Sequence, residues 1–479
     1  MRCRKNTLPP STQRTRRRME FLCDLSLLCG KRRMEHCLLM QLLCPVPHAI
    51  LVEAFRISTQ ESEREGVSMS ATIIFTNSFL IDCTGREPQE GATVVVEGDT
   101  IRAVEVGRRV TIPSGATVID LRGKTLMPGL IDAHVHMGIT EAIPSHARRF
   151  SEAVYVCKVA ANLRETLLEG FTTVRDAGGA YWGFKEALQM GLIEGPRLLI
   201  SGRSLSQTGG HGDSRHPYQS ALPSDEDIRV SSLICDGVDA VRRGAREQLR
   251  LGADQIKVMA GGGAMSPTDE LDTTQYSIPE LRAAVEEAEA AGTYVMAHVY
   301  SPRSICNALE AGVRSLEHGN LLDEASARQI KARGAYLVPT LATYEIIARQ
   351  GKEYGIGPEN LRKINLAREK SFEALQIAYT TGVKIASGSD LLGPMHIYKG
   401  QELALKGEVM RPMDVLLATT RVNAELLQLA DRIGTVEAGK WADLIVVDGN
   451  PLEDLTLWQR HQTSVLLVMK GGKIYKNLL

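Results

Sequence analysis

The sequence of 479 residues lacks several features that mark particular classes of protein. It contains no uninterrupted apolar run of about 18 residues, the length that a transmembrane helix needs. Its formal net charge is −1, so no overall basic character favours nucleic acid or an anionic membrane. None of its nine cysteines forms a CxxC pair, which argues against a cysteine-bound metal or a disulfide framework. We therefore predict a cytoplasmic protein that binds neither nucleic acid nor membrane.

The first 69 residues differ from the rest in composition. Residues 1–68 carry 12 Lys and Arg against 7 Asp and Glu, and they contain five of the nine cysteines. Residues 14–45 are basic and then apolar, as in a signal peptide, but charged residues such as Asp24 interrupt the apolar part and no small-residue cleavage site stands out. The prediction is a disordered or spurious extension over residues 1–69, with Met69 as the start.

Short β-branched segments occur at both ends of the remaining chain. They include "ATVVVEGDTIRAVE" at 92–105 and "TSVLLVMKGGKIYK" at 463–476, and Gly, Asp and Pro separate them. Such segments are typical of antiparallel strands and turns. We predict one small β-sandwich domain formed from both termini, residues 70–127 and 431–479.

Residues 128–430 alternate short apolar runs with amphipathic stretches such as 277–292. Eight parallel strands with intervening helices indicate an α/β fold, a (β/α)8 TIM barrel. A doubly wound open sheet is the alternative, which the count of eight and the lack of a GxGxxG turn after the first strand disfavour. The candidate strands are 130–138, 171–179, 197–202, 253–263, 293–300, 315–319, 335–341 and 384–390.

The first and fourth candidate strands end in residues that can bind metal. His134 and His136 project to the same side of a strand, because residues i and i+2 do so, and both imidazoles can hold one ion. Two histidines alone are weak evidence, since core or surface histidines are as common. Lys257, if it points inward, would be a buried cation whose charge must be changed. Carbamylation by carbon dioxide would turn its amine into a carboxylate able to bridge two metals.

The other strand ends strengthen this interpretation. His298 ends the fifth strand, His318 the sixth and Asp390 the eighth. Taken alone, either histidine is more often a satisfied core residue than a ligand. Metal-compatible side chains on five strand ends of one barrel together predict a metal site at its C-terminal mouth, where such barrels carry their chemistry.

Several motifs resemble the amidohydrolase superfamily of metal-dependent hydrolases. They are "MPGLIDAHVHMG", "IKVMAGGGAMS", "MAHVY", "SLEHGN" and "IASGSD", and the resemblance covers about residues 71–479. The segment "SLSQTGGHGD" (204–213), with the glycine run after Lys257, is similar to the branch of Xaa-Pro dipeptidases and ochratoxin-hydrolysing amidases. That branch hydrolyses amides of amino acids that bear a free carboxylate. The resemblance implies the same small-molecule substrates, N-acyl amino acids or dipeptides, and a homo-oligomer.

The resemblance also implies a binuclear metal centre. The first two histidines and the aspartate would hold one metal, the other two histidines the second, and the carboxylated lysine would bridge both. Two zinc ions per subunit are expected, although histidine and carboxylate ligands also admit manganese, cobalt or iron. The implied metal ligands are His134, His136, Lys257, His298, His318 and Asp390.

Catalysis would then use metal-activated hydroxide, because metal lowers the pKa of bound water toward ~7. Asp390 is expected to accept its proton and pass it to the leaving amine. His211, in "TGGHGD", and Tyr300, two residues after His298, are candidate donors to the tetrahedral oxyanion. The structural alternatives are an exposed loop histidine for His211 and an aromatic core plug for Tyr300.

A substrate carboxylate needs a fixed cation or amide donors. Backbone N–H groups of the loop 261–266 ("GGGAMS") could supply them. Arg203 and Arg215 are weaker candidates, because most arginines are merely solvated. Asp176 is predicted to be a structural hydrogen-bond acceptor rather than a catalyst.

The leading hypothesis is a binuclear zinc amidohydrolase that cleaves an N-acyl amino acid or a dipeptide next to a free carboxylate. A cyclic-amide hydrolase or deaminase of the imidazolonepropionase kind is the second hypothesis, and many such enzymes use one metal. A catalytically inactive scaffold is the third, which the complete ligand set disfavours. The acyl-side and amino-acid specificities stay open.

Overall fold

The computed structural model describes residues 72–107, 110–216, 218–224 and 226–479. The extension predicted at residues 1–69 lies outside the described residues. Within the described ranges, no helix is both long enough and apolar enough to cross a lipid bilayer.

One sheet combines strands from the beginning and the end of the described chain. Its strands are β1 (Thr72–Leu80), β2 (Gln89–Glu97), β3 (Thr100–Glu105), β4 (Thr117–Asp120), β5 (Thr125–Pro128), β16 (Leu444–Val447), β17 (Val465–Lys470) and β18 (Lys473–Asn477). They follow the order β18-β17-β16-β5-β1-β2-β3, and β4 pairs with β1. Buried side chains such as Phe75, Val94 and Leu444 give this sheet an apolar core of its own. The predicted terminal strands thus pair with one another, whereas the domain boundaries and the sandwich arrangement stay predictions.

The middle of the chain forms parallel strands. They are β6 (Leu130–Val135), β7 (Phe171–Asp176), β8 (Arg197–Ile200), β9 (Ser204–Ser206), β10 (Ser232–Ile234), β11 (Ile256–Met259), β12 (Val295–Val299), β13 (Ser315–His318), β14 (Tyr336–Val338) and β15 (Lys384–Ile385). One sheet has the order β6-β7-β8 and the other the order β10-β9-β11-β12-β13-β14-β15. Every residue of β6 and β12 is buried, as expected for parallel strands covered on both faces. The fold is α/β with parallel sheets, and each of the eight predicted strands contains an observed one.

Helices connect these strands. The α-helices are α1 (Glu152–Leu168), α2 (Trp182–Gln189), α3 (Val238–Arg250), α4 (Ile278–Ala290), α5 (Pro302–Ala311), α6 (Glu324–Arg333), α7 (Leu341–Gln350), α8 (Pro358–Thr381), α9 (Gln401–Gly407), α10 (Pro412–Leu417), α11 (Asn423–Leu426) and α12 (His461–Ser464). Short 3₁₀ or π segments cover Pro144–Arg149, Gly393–Tyr398, Ala418–Val422 and Leu455–Arg460. The ends of α5 follow from its sequence, because the Ser301 side chain accepts the Ser304 N–H and Gly312 ends the helix at a φ of 100°.

The register of the parallel strands brings their carboxyl ends to one edge. Met259 of β11 pairs with His298 of β12, and Val299 pairs with His318 of β13. The side chains that follow these strands therefore meet at the same edge of the sheet.

Backbone hydrogen bonds also connect the first parallel strand to the chain that follows β15. The N–H of Ala133 donates to the oxygen of Ser387 at 2.9 Å, and the N–H of Asp390 donates to the oxygen of His134 at 2.8 Å. Asn423 reinforces the connection, since its side-chain amide donates to the oxygens of Ile131 at 2.6 Å and Ser387 at 2.9 Å. Asp390 is thereby fixed beside β6, which carries His134 and directly precedes His136.

Candidate active site

His134 of β6 and His136, which directly follows that strand, are oriented by acceptors on their Nδ1 atoms. Nδ1 of His134 lies 2.7 Å from Oε2 of Glu317, and Nδ1 of His136 lies 2.7 Å from the backbone oxygen of Gly178. A neutral ring that donates from Nδ1 has its lone pair on Nε2. The Nε2 atoms lie 3.4 Å and 3.1 Å, respectively, from Oδ1 of Asp390. A lone pair that faces a carboxylate oxygen repels it unless a proton or a metal cation lies between them.

His318 completes a cluster with His134 and Asp390. One ligand atom from each of the three residues lies within 4.8 Å of the others. Nδ1 of His318 is 2.8 Å from Oγ1 of Thr340 and 3.8 Å from Oδ2 of Asp390. Both His318 and Asp390 have positive φ angles, 72° and 52°, which non-glycine residues adopt at a cost. The strained backbone is the kind of feature that persists where a side chain must be aimed at a site.

His298 and Lys257 lie on the strands beside this cluster. The ring centroid of His298 is 4.5 Å from that of His318, and its Nε2 lies 3.0 Å from the backbone oxygen of Gly262. The Lys257 side chain is buried, and among the described residues no carboxylate oxygen lies within 4.0 Å of its Nζ. Burial lowers the pKa of Lys257 to about 8, against the opposing charges of Glu317 and Asp390. A buried, unpaired amine is the local environment that the predicted carbamylation requires.

The protonation states of the cluster suit metal binding. Burial lowers the pKa of His134 and His298 well below the usual range, and it lowers that of His318 to about 3. Burial alone would raise the pKa of Asp390, but the nearby histidines, His134 foremost, lower it below its ordinary value. His134, His298 and His318 are therefore neutral. Burial alone would lower the pKa of His136, but its hydrogen bond to Asp390 raises it. Neutral imidazoles and an ionised carboxylate form a donor set that zinc accepts. Nε2 of His134 is buried without a hydrogen-bond partner, and such an orphaned atom fits a metal ligand.

A buried ion pair behind His134 was not predicted from the sequence. Nη2 of Arg175 donates to Oε1 and Oε2 of Glu317 at 3.0 Å and 3.1 Å, and Arg175 Nε donates to the backbone oxygen of Ala133. Both charged side chains are fully buried. Glu317 is adjacent to a predicted ligand in "SLEHG", and this adjacency was the available signal. The pair fixes the tautomer and the orientation of His134.

His211 and Tyr300 both lie against histidines of the site. The ring of His211 stacks on that of His298 with a centroid distance of 4.2 Å, and its Nδ1 lies 3.0 Å from Oγ of Ser266. The ring of Tyr300 lies nearly parallel to that of His318 at 5.5 Å. Neither side chain is remote from the cluster, and their catalytic roles stay predictions.

Tyr344 is a second tyrosine of the site that the sequence did not single out. Its hydroxyl oxygen lies 2.7 Å from that of Tyr300, and both rings are buried. It lies at the start of α7, just after β14, where no motif distinguishes it. A hydrogen bond from Tyr344 leaves the Tyr300 proton available to another acceptor.

The predicted carboxylate donors have other partners. The N–H of Gly262 donates to the oxygen of Thr273 at 3.0 Å, and the N–H of Gly263 donates to Oδ2 of Asp269 at 3.1 Å. These two amides of the loop 261–266 are therefore not available to a substrate, and that part of the prediction is wrong.

The guanidinium groups and Asp176 have protein partners as well. Arg215 forms an ion pair with Asp213 at 2.6 Å, and Arg203 donates from Nη2 to the backbone oxygen of Asp227 at 3.0 Å. Asp176 accepts backbone N–H groups on both carboxylate oxygens, among them that of Met137 at 2.6 Å. This agrees with the structural role expected of Asp176.

Comparison with known proteins agrees with this geometry. The amidohydrolase family matches residues 125–475. Ochratoxinase of Aspergillus niger is 34% identical over 434 residues, which cover 85% of this chain and 86% of that protein. A solved prolidase complexed with N-methylphosphonate-L-proline is 41% identical with a TM-score of 0.83, over 85% of this chain and 100% of that one. A solved Xaa-Pro dipeptidase with methionine in its active site is 28% identical with a TM-score of 0.77, over 85% and 100%.

These similarities confirm the superfamily and the branch that the motifs indicated. The matched region contains every predicted ligand, from His134 on β6 to Asp390 after β15. The chain therefore belongs to the amidohydrolase family.

Proposed function

We propose that this protein is a metal-dependent hydrolase that cleaves the amide C–N bond of an N-acyl amino acid or a dipeptide with a free carboxylate. Hydrolysis of a C–N bond follows from family membership, and the substrate class is proposed by similarity to an ochratoxinase, a prolidase and a Xaa-Pro dipeptidase. The observation that carries the proposal is the buried cluster of His134, His318 and Asp390, in which imidazole lone pairs face an ionised carboxylate. Such a cluster favours a bound cation.

Two metal ions are proposed for this site. When bound, they would polarise the scissile carbonyl and supply hydroxide at neutral pH. The depressed pKa values of the histidines and the orphaned Nε2 of His134 support this assignment. The proposed ligands are His134, His136 and Asp390 for the first ion, His298 and His318 for the second, and carboxylated Lys257 as the bridge.

The remaining side chains have proposed roles at defined atoms. Asp390 accepts the proton of the attacking water on a carboxylate oxygen and transfers it to the leaving nitrogen. Tyr300 donates a hydrogen bond from its hydroxyl group to the developing oxyanion, and its contact with the Tyr344 hydroxyl fixes its direction. The ring of His211 stacks on that of His298, and this contact supports a place for His211 beside the substrate.

The proposed architecture is a closed (β/α)8 barrel with a small β-domain. The order of the parallel strands supports closure, as do the backbone hydrogen bonds that join His134 to Asp390 and Ala133 to Ser387. A homo-oligomer, the cytoplasmic location and the lack of a nucleic-acid partner remain predictions.

Metal analysis combined with a substrate screen tests the function. We expect two ions per chain in zinc- and bicarbonate-supplied protein. We also expect equimolar release of acid and amino acid from N-acyl amino acids or ochratoxin-type aryl amides, and of two amino acids from dipeptides. One firmly bound ion with turnover of a cyclic amide or an amine would favour the alternative hydrolase or deaminase. Retained fold without bound metal would favour the inactive scaffold. His318→Asn is the matched control, because it removes one ligand of the cluster and should abolish turnover.

A further inference from the structure

A chain of hydrogen bonds in the glycine-rich loop after β11 ends on His211. Nδ1 of His211 lies 3.0 Å from Oγ of Ser266. The hydroxyl group of Ser266 is hydrogen-bonded to Oδ1 of Asp269 and lies 3.1 Å from the backbone oxygen of Gly263. A hydroxyl has one proton, and the carboxylate is the strongest acceptor near it. Ser266 therefore donates to Asp269 and accepts the Nδ1 proton of His211. The neutral ring of His211 then has its lone pair on Nε2.

A buried lysine fixes the loop that carries this chain. Lys363 of α8 donates from Nζ to the backbone oxygens of Gly263 at 3.0 Å, Ser266 at 2.8 Å and Asp269 at 2.9 Å. These three bonds use all three protons of the ammonium group. Oδ1 of Asp269 lies 3.9 Å from Nζ and provides the counter-charge. The lysine is therefore committed to the loop and is not free to bind substrate.

Gln275 ties the same carboxylate to the backbone of His211. Its Nε2 donates to Oδ2 of Asp269 at 2.6 Å, and its Oε1 accepts the N–H of His211 at 2.8 Å. Gly263 allows the ring to approach, since a Cβ at this position would lie 1.9 Å from Nδ1 of His211. The position of the ring is thus set from both its backbone and its Nδ1 atom.

We propose that Ser266, Asp269 and Lys363 form a positioning relay that holds His211 against His298 in the Nδ1–H tautomer. The Nε2 atom of His211 is then an acceptor toward the substrate, and not the oxyanion donor that was predicted from the sequence. The relay residues bind His211 or its loop, so they are positioning residues and not catalytic ones. The catalytic consequence rests on the proposed function, whereas the tautomer and its dependence on Ser266 can be measured without turnover.

Side-chain ¹⁵N NMR of the full zinc-loaded chain, with labelled histidine, tests the tautomer. His211→Asn identifies the two resonances of His211. We expect a protonated Nδ1 and an unprotonated Nε2, and we expect Ser266→Ala to change this pattern. A wild-type ring protonated on Nε2, or a pattern unaltered by Ser266→Ala, would overturn the relay.

Kinetics test its consequence. We expect Ser266→Ala, Asp269→Asn and Lys363→Met each to lower kcat by about 10- to 100-fold, which is the usual size of the effect of a residue that orients another. The amount of bound zinc should not change. In a chain that already carries His211→Asn, the same substitutions should cause no further loss of kcat. Asp272→Asn, an exposed acid of the same loop, is the matched control and should leave kcat unchanged. If the losses of kcat in the double variants were additive, the relay would be overturned. A wild-type protein without turnover would refute the proposed function, and the NMR measurement alone would then decide the tautomer of His211.

Discussion

Glu317→Gln is predicted to weaken metal binding although it removes no proposed ligand. The carboxylate of Glu317 accepts hydrogen bonds from Nδ1 of His134 at 2.7 Å, from Oγ of Ser315, and from Nη2 of Arg175 at 3.0 Å and 3.1 Å. Glutamine offers one acceptor oxygen and an amide with two donors. In either orientation, the NH2 group of the glutamine amide faces a donor N–H, either that of His134 or that of Arg175. When the amide nitrogen faces His134, the ring loses the acceptor that keeps its proton on Nδ1 and its lone pair on Nε2.

The magnitude has two parts. Loss of the hydrogen bond that orients a metal-binding histidine typically costs 10- to 100-fold in metal affinity, or about 1.4–2.7 kcal/mol. Arg175 is fully buried, and depriving a buried charge of its partner costs about 3–5 kcal/mol of folding stability. The variant should therefore bind metal more weakly and also unfold at a lower temperature.

Competition with a chelator of known affinity, followed by thermal unfolding of the apo and loaded forms, measures both effects. Glu169→Gln is the control, because Glu169 is also a buried acid and its ion-pair partner is Lys399 at 3.7 Å. The control should keep wild-type metal affinity. If Glu317→Gln bound zinc as tightly as the wild type, His134 would not depend on Glu317 for its tautomer and the reasoning would be refuted.

Four further outcomes are expected. Removal of metal by a chelator should lower the unfolding temperature, since a ligand at 100 times its Kd contributes about 2.7 kcal/mol, and unchanged unfolding would contradict a metal held by the folded state. Lys257→Ala should reduce the bound metal from two ions to one and abolish any dependence on bicarbonate, as metal analysis would show. Gly388→Ala should displace His134 and lower metal content, because the new Cβ would lie 2.4 Å from the Cβ of His134. Burial raises the pKa of Glu169 from its ordinary value near 4.5 to about 7, so the folded state holds the carboxyl proton more tightly than the unfolded state. The free energy of unfolding should therefore fall as the pH rises from about 4.5 to 7. Glu169→Gln should flatten that part of the profile of unfolding free energy against pH.

The strands and most of the proposed ligands could be predicted from the sequence because each is marked by a pattern of neighbouring residues. Apolar runs with β-branched residues predicted the eight parallel segments, and the spacing of His134 and His136 follows from the two-residue period of a strand. The eighth strand is shorter than predicted, Lys384–Ile385 instead of 384–390. The chain after it leaves the ladder so that Asp390, at a φ of 52°, can face the histidines.

The residues that support the site could not be predicted from such local patterns. Strict alternation puts Glu317 and His318 on opposite faces of a strand, but the φ of 72° at His318 turns the chain there, so both side chains contribute to one site. Lys363 reaches the loop 263–269 from a helix about a hundred positions later, and no local pattern distinguishes it from a solvated lysine. Two of the proposed amide donors of the loop 261–266, those of Gly262 and Gly263, were predicted wrongly for a related reason. Their partners Thr273 and Asp269 become neighbours only after the loop folds back.

The sheet made from both ends of the described chain bears on the order in which the protein matures during synthesis. Strand β5 lies between β1 and β16, and it leads through Gly129, whose N–H donates to the oxygen of Asp443 at 2.9 Å, directly into the strand of His134. While residues 444–470 are still in the ribosome, a nascent chain lacks β16 and β17, and β5 has no partner on that side. Contacts so distant in sequence form late and slowly. Loading of metal should thus follow the emergence of residues 444–470 from the ribosome.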